Sequence, residues 1–271
     1  MNSFLEKLCC SKVQIGQNCL IIAAHPDDEI MGMGSVLSRF ENLYILYLTD
    51  GVPRSIGYAY NAGCHSREQY SRLRQTETQS ALNLAMCYPK KCFRLGLVDQ
   101  ESCFQMPLLV KKIARLIDDY KIDVVFTHPY EGGHPDHDTA SFALWAAKKL
   151  LRSDMFRSFE FTSYFGVHGA LCTNRFLGSQ ANMYATVELT EGELKSKRRM
   201  VECFPSQKAM LNQFDLSTEQ FRETPRYRYL LPPHSGTLFY EYLDWGVSGR
   251  RWRAKAEEAM HLFGIEEREC V

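Results

Sequence analysis

Cys19-Leu20-Ile21-Ile22-Ala23-Ala24-His25-Pro26-Asp27-Asp28-Glu29 decides how the chain is read. The apolar run Leu20 to Ala24 is short, partly β-branched and closed by Pro26, which predicts a buried parallel strand with His25 leaving its C-terminal end. A residue before proline is pushed to extended backbone. The chain then turns, so that Asp27, Asp28 and Glu29 fall in or near the first turn of a helix, where carboxylates suit the dipole. Three acids beside a histidine repel one another unless something positive sits among them, and a divalent cation is the economical choice.

A second stretch, His134-Pro135-Asp136-His137-Asp138, supplies the missing nitrogen donors. It follows another buried strand, Val124 to Thr127, and precedes a helix over Ala140 to Leu151 that His137 opens. Both clusters therefore leave strand C-termini, where open α/β sheets hold their ligands. His25, Asp28 and His137 would form a two-histidine, one-carboxylate set with a position left for water, the pattern of a catalytic zinc site; the same set accepts ferrous iron. Asp27 is then free to take a proton from that water. His134 is placed to stabilise an oxyanion or protonate a leaving amine, with Asp136 as a partner for its ring.

At these residues the sequence resembles the PIG-L/LmbE family of zinc-dependent N-deacetylases. Its Ala-His-Pro-Asp-Asp-Glu stands here as Ala24 to Glu29 and its His-Pro-Asp-His as His134 to His137. The resemblance implies His25, Asp28 and His137 as zinc ligands and Asp27 as general base. It extends to Thr49-Asp50-Gly51, Arg74, Glu77, Ala81, Ser206-Gln207 and Pro232-Pro233-His234. The implied reaction is removal of an N-acetyl or other N-acyl group from an amino sugar or its glycoside. Arg74 and His234 stand where the resemblance puts residues near substrate. Asp99, after a strand, is a further pocket candidate. Family members acting on sugars can carry a tyrosine ahead of His-Pro-Asp-His; Gly132 and Gly133 stand there, leaving Tyr130 as a substitute contact. The glycines would let backbone approach a substrate.

Composition excludes other classes. The 271 residues are 45% hydrophobic and carry 32 basic and 32 acidic side chains, so no overall field attracts nucleic acid or anionic membrane. Ten cysteines lie scattered without a Cys-x-x-Cys pair, and no apolar run reaches membrane-spanning length. The expectation is a cytoplasmic protein with reduced thiols and no integral membrane segment, its partner a small N-acylated sugar or conjugate, with an oligomer left open.

The fold class expected is a three-layer α/β/α domain with a Rossmann-like, mostly parallel sheet, about residues 15–155, followed by a C-terminal α+β portion, about 156–271, that completes the cleft. Residues 1–18 read as a lead-in with one helical turn, ended by Gly16-Gln17-Asn18. Further strands are expected at Leu43 to Leu48, Cys92 to Leu95, Phe159 to Phe165 and Met183 to Leu189. Helices are expected at His65 to Ala85, Met106 to Asp119, Thr190 to Cys203 and Trp252 to Phe263. Val52 to Cys64 reads as a lid loop and Ile30 to Ser35 as part of a helix packed closely through its glycines. His128 reads as a group behind the ligands. The Tyr- and Arg-rich run Phe204 to Pro233 reads as a sugar-facing wall. Two other functions fit the same residues: a metal-dependent hydrolase of another bond, and a sugar-binding module with a structural metal.

Overall fold

Neighbouring residues of the first strand point to opposite faces of the sheet, and each face has its own core. Leu20 and Ile22 join Leu46, Leu48 and Val125 in one buried cluster. Cys19, Ile21 and Ala23 join Ile45, Tyr47 and Phe126 in another. A strand buried on both faces needs helices on both sides, which makes three layers. The computed structural model describes residues 3–9, 13–152, 156–178 and 184–267.

In chain order the elements are α1 (Ser3–Cys9), β1 (Ile15–Ala23), α2 (Asp28–Met33), β2 (Phe40–Pro53), α3 (Ile56–Asn61), α4 (Arg67–Leu84), β3 (Lys91–Asp99), α5 (Met106–Asp119), β4 (Val124–Thr127), α6 (Pro135–Leu151), β5 (Arg157–Phe161), β6 (Tyr164–Val167), β7 (Ala170–Thr173), β8 (Ala185–Glu188), α7 (Glu191–Val201), α8 (Lys208–Leu211), β9 (Thr218–Glu223) and α9 (Gly249–Phe263). The main sheet runs β3-β2-β1-β4-β5-β9-β8, and β6 and β7 form a separate hairpin. The first five strands are parallel; β9 and β8 add on antiparallel. The order reverses between β1 and β4, and the crevice outside the carboxyl ends at such a reversal is where open α/β sheets bind ligands. Cys19 pairs with Val124 there, which brings the two motifs together from opposite ends of a 100-residue stretch.

Several sequence expectations shift. Gly16 to Asn18 belong to β1, because Ile15 and Asn18 already pair with β2. Val52 to Cys64 is not a loop throughout: Val52 and Pro53 end β2, and Ile56–Asn61 is a helical turn that buries Ala59 against Val52 and Tyr70. The Phe159 to Phe165 run breaks at Thr162-Ser163 into β5 and β6, which join different sheets. β9 lies inside the run read as a wall; its alternation is hidden by Glu219 and Arg222, both buried in ion pairs. Helix α6 opens at Pro135, not His137, with His134 as its cap. Met183, Cys10, Cys270 and the expected boundary near residue 155 lie outside the described residues. The close packing of α2 is as expected, since a Cβ on Gly32 would meet the Phe161 ring at 2.2 Å.

Trp252 on α9 ties the C-terminal helix to the site's scaffold. Its Nε1 donates to Pro135 O at 3.1 Å and Thr139 Oγ1 at 2.9 Å, and its ring stacks on Tyr130. Truncating it to Ala removes a fully buried ring and should cost about 3–5 kcal/mol, read as a lower urea midpoint. An unchanged midpoint would contradict this packing. Among the described residues no helix is long and apolar enough to cross a membrane.

Candidate metal centre and active-site cleft

The chain leaves β1 at Ala23 and folds back at once. Asp28 Oδ2 accepts the His25 backbone N–H at 2.7 Å, so the loop closes on its own side chain. At the end of the loop that follows β4, His134 sits in extended backbone before Pro135, and its Nδ1 accepts the Asp136 backbone N–H at 3.1 Å. One turn on, His137 points back toward β1. His25 Nδ1 and His137 Nε2 are 3.3 Å apart, Asp28 Oδ1 is 3.4 Å from His137 Nε2, and Asp28 Oδ2 is 3.4 Å from His25 Nδ1.

These spacings test whether a metal fits. Donors about 2.0–2.1 Å from a tetrahedral zinc stand about 3.3–3.4 Å from one another. The opposite ring nitrogens are engaged: His25 Nε2 faces Asp99 Oδ1 at 3.0 Å and Asp136 Oδ2 at 3.3 Å, and His137 Nδ1 meets Ser163 Oγ at 2.9 Å. That leaves the converging nitrogens as lone-pair donors, the arrangement metal-bound histidines use. Burial pushes His137 down to about 3, with His128 adding to it. Asp28 is held well below its usual range by His128 and His137 although burial opposes this. A neutral imidazole beside an ionised carboxylate is the protonation state metal binding requires. Ligand atoms of His25, His134 and His137, and of Asp28, His128 and His137, lie within 4.8 Å of one another, and with Asp28 offering one oxygen to each of His25 and His137 the cluster fits a divalent cation.

Ser163, which the sequence did not single out, stands two residues beyond the C-terminal end of β5, the same kind of position His25 holds after β1. That offset was the available signal. Ser163→Ala frees the His137 ring to turn, and affinity for a divalent cation, probed with zinc, should fall about 10–100-fold. Competition against a zinc-buffered chelator measures it, and an unchanged affinity would remove Ser163 from the support.

Around the donors the remaining candidates separate. Asp27 lines the cleft and is paired with Arg74, whose Nη2 donates to Asp27 Oδ2 at 2.9 Å and to Pro26 O at 2.8 Å. Burial pushes the Asp27 carboxyl up to about 7, Arg74 opposing and Asp28 reinforcing. Arg74 is 2% exposed, so its first job is to anchor the loop. Gly51 makes room for it: φ is +66°, and a Cβ there would stand 2.9 Å from Arg74 Nη2. Asp99 lines the cleft and faces His25 and, at 3.5 Å, His134 Nε2.

Burial pushes His134 well below its ordinary value, and the His25 ring beside it adds to this. It is therefore neutral near pH 7. Because Nδ1 accepts a backbone N–H, the proton sits on Nε2, which makes His134 a hydrogen-bond donor at the cleft surface. The expected partnership with the Asp136 side chain is corrected here. That carboxylate is 3.9 Å from His134 Nδ1 and wholly buried, accepting from Ser102 N at 3.0 Å, Ser102 Oγ at 2.5 Å and Gln100 N at 2.6 Å. It holds His25 and the loop after β3 rather than His134. His128 stacks on His137 at 4.0 Å with Nε2 3.2 Å from Asp28 Oδ2, behind the donor set. Glu29 turns away from the site and accepts from Tyr47 O–H at 2.8 Å; burial pushes it up to about 8.

Tyr130 and His234 are not among the residues lining the cleft. Tyr130 is 2% exposed, its hydroxyl donates to Leu231 O at 2.9 Å, and its ring belongs to the aromatic core of Tyr229 and Trp252. His234 is half-buried, its Nδ1 beside Ser235 O at 2.9 Å and its Nε2 against Gly132. Gly133 admits protein, not ligand: a Cβ there would collide with Tyr164 O at 1.9 Å. The wall expected from the Tyr- and Arg-rich run is likewise moved. Tyr227 and Tyr229 are internal, whereas Gln207, Met210, Gln213 and Phe214 face the cleft with Phe239 and Trp245. The cavity encloses about 450 Å³.

A family profile described as PIG-L: GlcNAc-PI de-N-acetylase matches residues 20–148. No curated protein matches the sequence. Among solved structures, a deacetylase complex from the teicoplanin biosynthesis pathway aligns with TM-score 0.59 at 15% identity, covering 75% of this chain and 96% of that one. N,N'-diacetylchitobiose deacetylase from Pyrococcus horikoshii aligns with TM-score 0.51 at 19% identity, covering 82% and 89%. A conserved protein from Thermus thermophilus aligns with TM-score 0.54 at 20% identity, covering 81% and 100%. At these identities the structural likeness is one of fold.

Proposed function

We propose that the chain, whose residues 20–148 match the PIG-L profile, is a metal-dependent N-deacetylase that hydrolyses the N-acetyl amide of an amino sugar or its conjugate, with zinc as the metal. The observation that carries the reading is that His25 Nδ1 and His137 Nε2 stand 3.3 Å apart with Asp28 between them, its Oδ2 3.4 Å from the first and its Oδ1 3.4 Å from the second, beside a carboxylate, Asp27, that is not one of these donors.

His25, Asp28 and His137 would hold the ion, which when bound acidifies water and polarises a carbonyl. Asp27, with an affinity for protons near neutrality, takes the proton from the attacking water as it adds to the acyl carbon. His134 Nε2–H donates to the oxyanion that develops, a role for which a neutral imidazole suffices. Asp27 then returns its proton to the leaving nitrogen, since neutral His134 has none to spare without forming an imidazolate. Arg74 keeps Asp27 aimed into the cleft, and Asp99 orients His25. A cytoplasmic location belongs to the same proposal. It is supported by the free thiols of Cys19, Cys64, Cys87 and Cys103 in the interior.

The test is acetate release from a panel of N-acetylated amino sugars by zinc-loaded protein, with chelator-treated and zinc-restored protein alongside. Release that follows the metal supports the reading; zinc-loaded protein that frees no acetate from any member overturns it.

A further inference from the structure

Resting on the deacetylase reading, we propose that the part of the substrate beyond the acetamido sugar is uncharged and apolar, an aromatic or similar aglycone, and that a phosphorylated sugar is rejected. Two observations carry this, the charge of the lining and the course of its rings.

Among the described lining residues Arg74 is the single cationic side chain, and it is committed to Asp27 and Pro26 O. Asp27, Asp28 and Asp99 line the same floor. A divalent cation and one guanidinium balance three carboxylates and leave no positive charge over. Arg54 and Arg67, close to the lining residue Pro53, each face a carboxylate, Arg54 that of Glu101 at 2.6 Å and Arg67 that of Asp50 at 3.7 Å. A phosphate drawn into the cleft would lose its water beside carboxylates and gain no donor of opposite charge, which is strongly unfavourable.

The rings lead outward from the metal donors. Tyr164 stands 5.3 Å from the His137 ring, and Phe214 and Phe239 stand edge-on to Tyr164 at 5.9 and 6.0 Å. Trp245 lies 4.7 Å from the His134 ring. Met210 and Leu243 continue the surface. The cavity's 450 Å³ is in the range of about 300–1,000 Å³ that encloses drug-sized ligands, so there is space beyond the sugar, and that space is walled by rings. Apolar surface buried against them is what such a wall can recognise.

Three probes test the proposal: phenyl N-acetyl-β-glucosaminide, free N-acetylglucosamine and N-acetylglucosamine phosphate. They are compared by kcat/KM on the zinc-loaded protein and by calorimetric Kd on zinc-loaded Asp27→Asn, which separates binding from turnover. The phenyl glycoside should be favoured over the free sugar by about tenfold or more, and the phosphate disfavoured by at least as much. Phe214→Ala should shrink the phenyl preference several-fold. Phosphate bound as well as the phenyl glycoside, a phenyl preference absent or untouched by Phe214→Ala, or binding of none of the three overturns the proposal. Acetate released without preference sinks this inference and spares the deacetylase reading; preferential binding without any acetate release does the reverse.

Discussion

Asp27→Asn should lower kcat by about a hundredfold to ten-thousandfold while the protein keeps its metal. The amide fills the same volume and its oxygen still accepts from Arg74 Nη2, so the loop between β1 and α2 stays closed. What it loses is the ability to take and return a proton at the position the Asp27 carboxyl occupies. Because Asp27 is not one of the converging donors, elemental analysis should give the same metal content as the parent. Turnover within a few-fold of the parent would mean that another group is the base. Loss of metal would mean that Asp27 is itself a ligand.

Arg74→Met should move the acid limb of the pH–rate profile upward by about 1–3 pH units. The sign follows from the pair: the guanidinium 2.9 Å away stabilises the carboxylate, so its removal raises the proton affinity of Asp27. As the proposed base, Asp27 would work deprotonated, so activity that is lost near neutrality should return as pH rises. Arg74→Lys keeps the charge and should give a smaller displacement. A lower plateau with the limb in place would mean that Arg74 only supports the loop, and that the field at Asp27 comes from elsewhere. Since Arg74 is buried, the profiles are compared on variant protein that retains its metal.

What was legible in the sequence was whatever depended on a strand ending before a proline. His25 stands just past such an end, His134 closes the loop after β4 before Pro135, and the backbone of both could be placed without knowing any long-range contact. The three layers were legible for the same reason, because Leu20 to Ala24 and Val124 to Thr127 are apolar on both faces. Roles that depend on which way a loop turns were not. Tyr130 sits two residues beyond His128 and faces a core built by Tyr229 and Trp252, more than ninety positions downstream. Asp136 lies between His134 and His137 yet reaches Ser102, on the segment after β3, because the first turn of α6 aims it there. β9 escaped notice because a strand whose inward positions carry Glu219 and Arg222 has no hydrophobic alternation; the ion pairs that satisfy those charges, with Lys197 and Glu160, come from other elements.

The pairing of β1 with β4 also orders events in time. A polypeptide still being synthesised displays His25 and Asp28 about a hundred residues before His137 exists. Until the later strand docks beside the earlier one, the first two groups form a half-site of low grip. On the proposed ligand set, capture of an ion would therefore wait for the second motif, and chains released short of it should emerge unable to retain the ion.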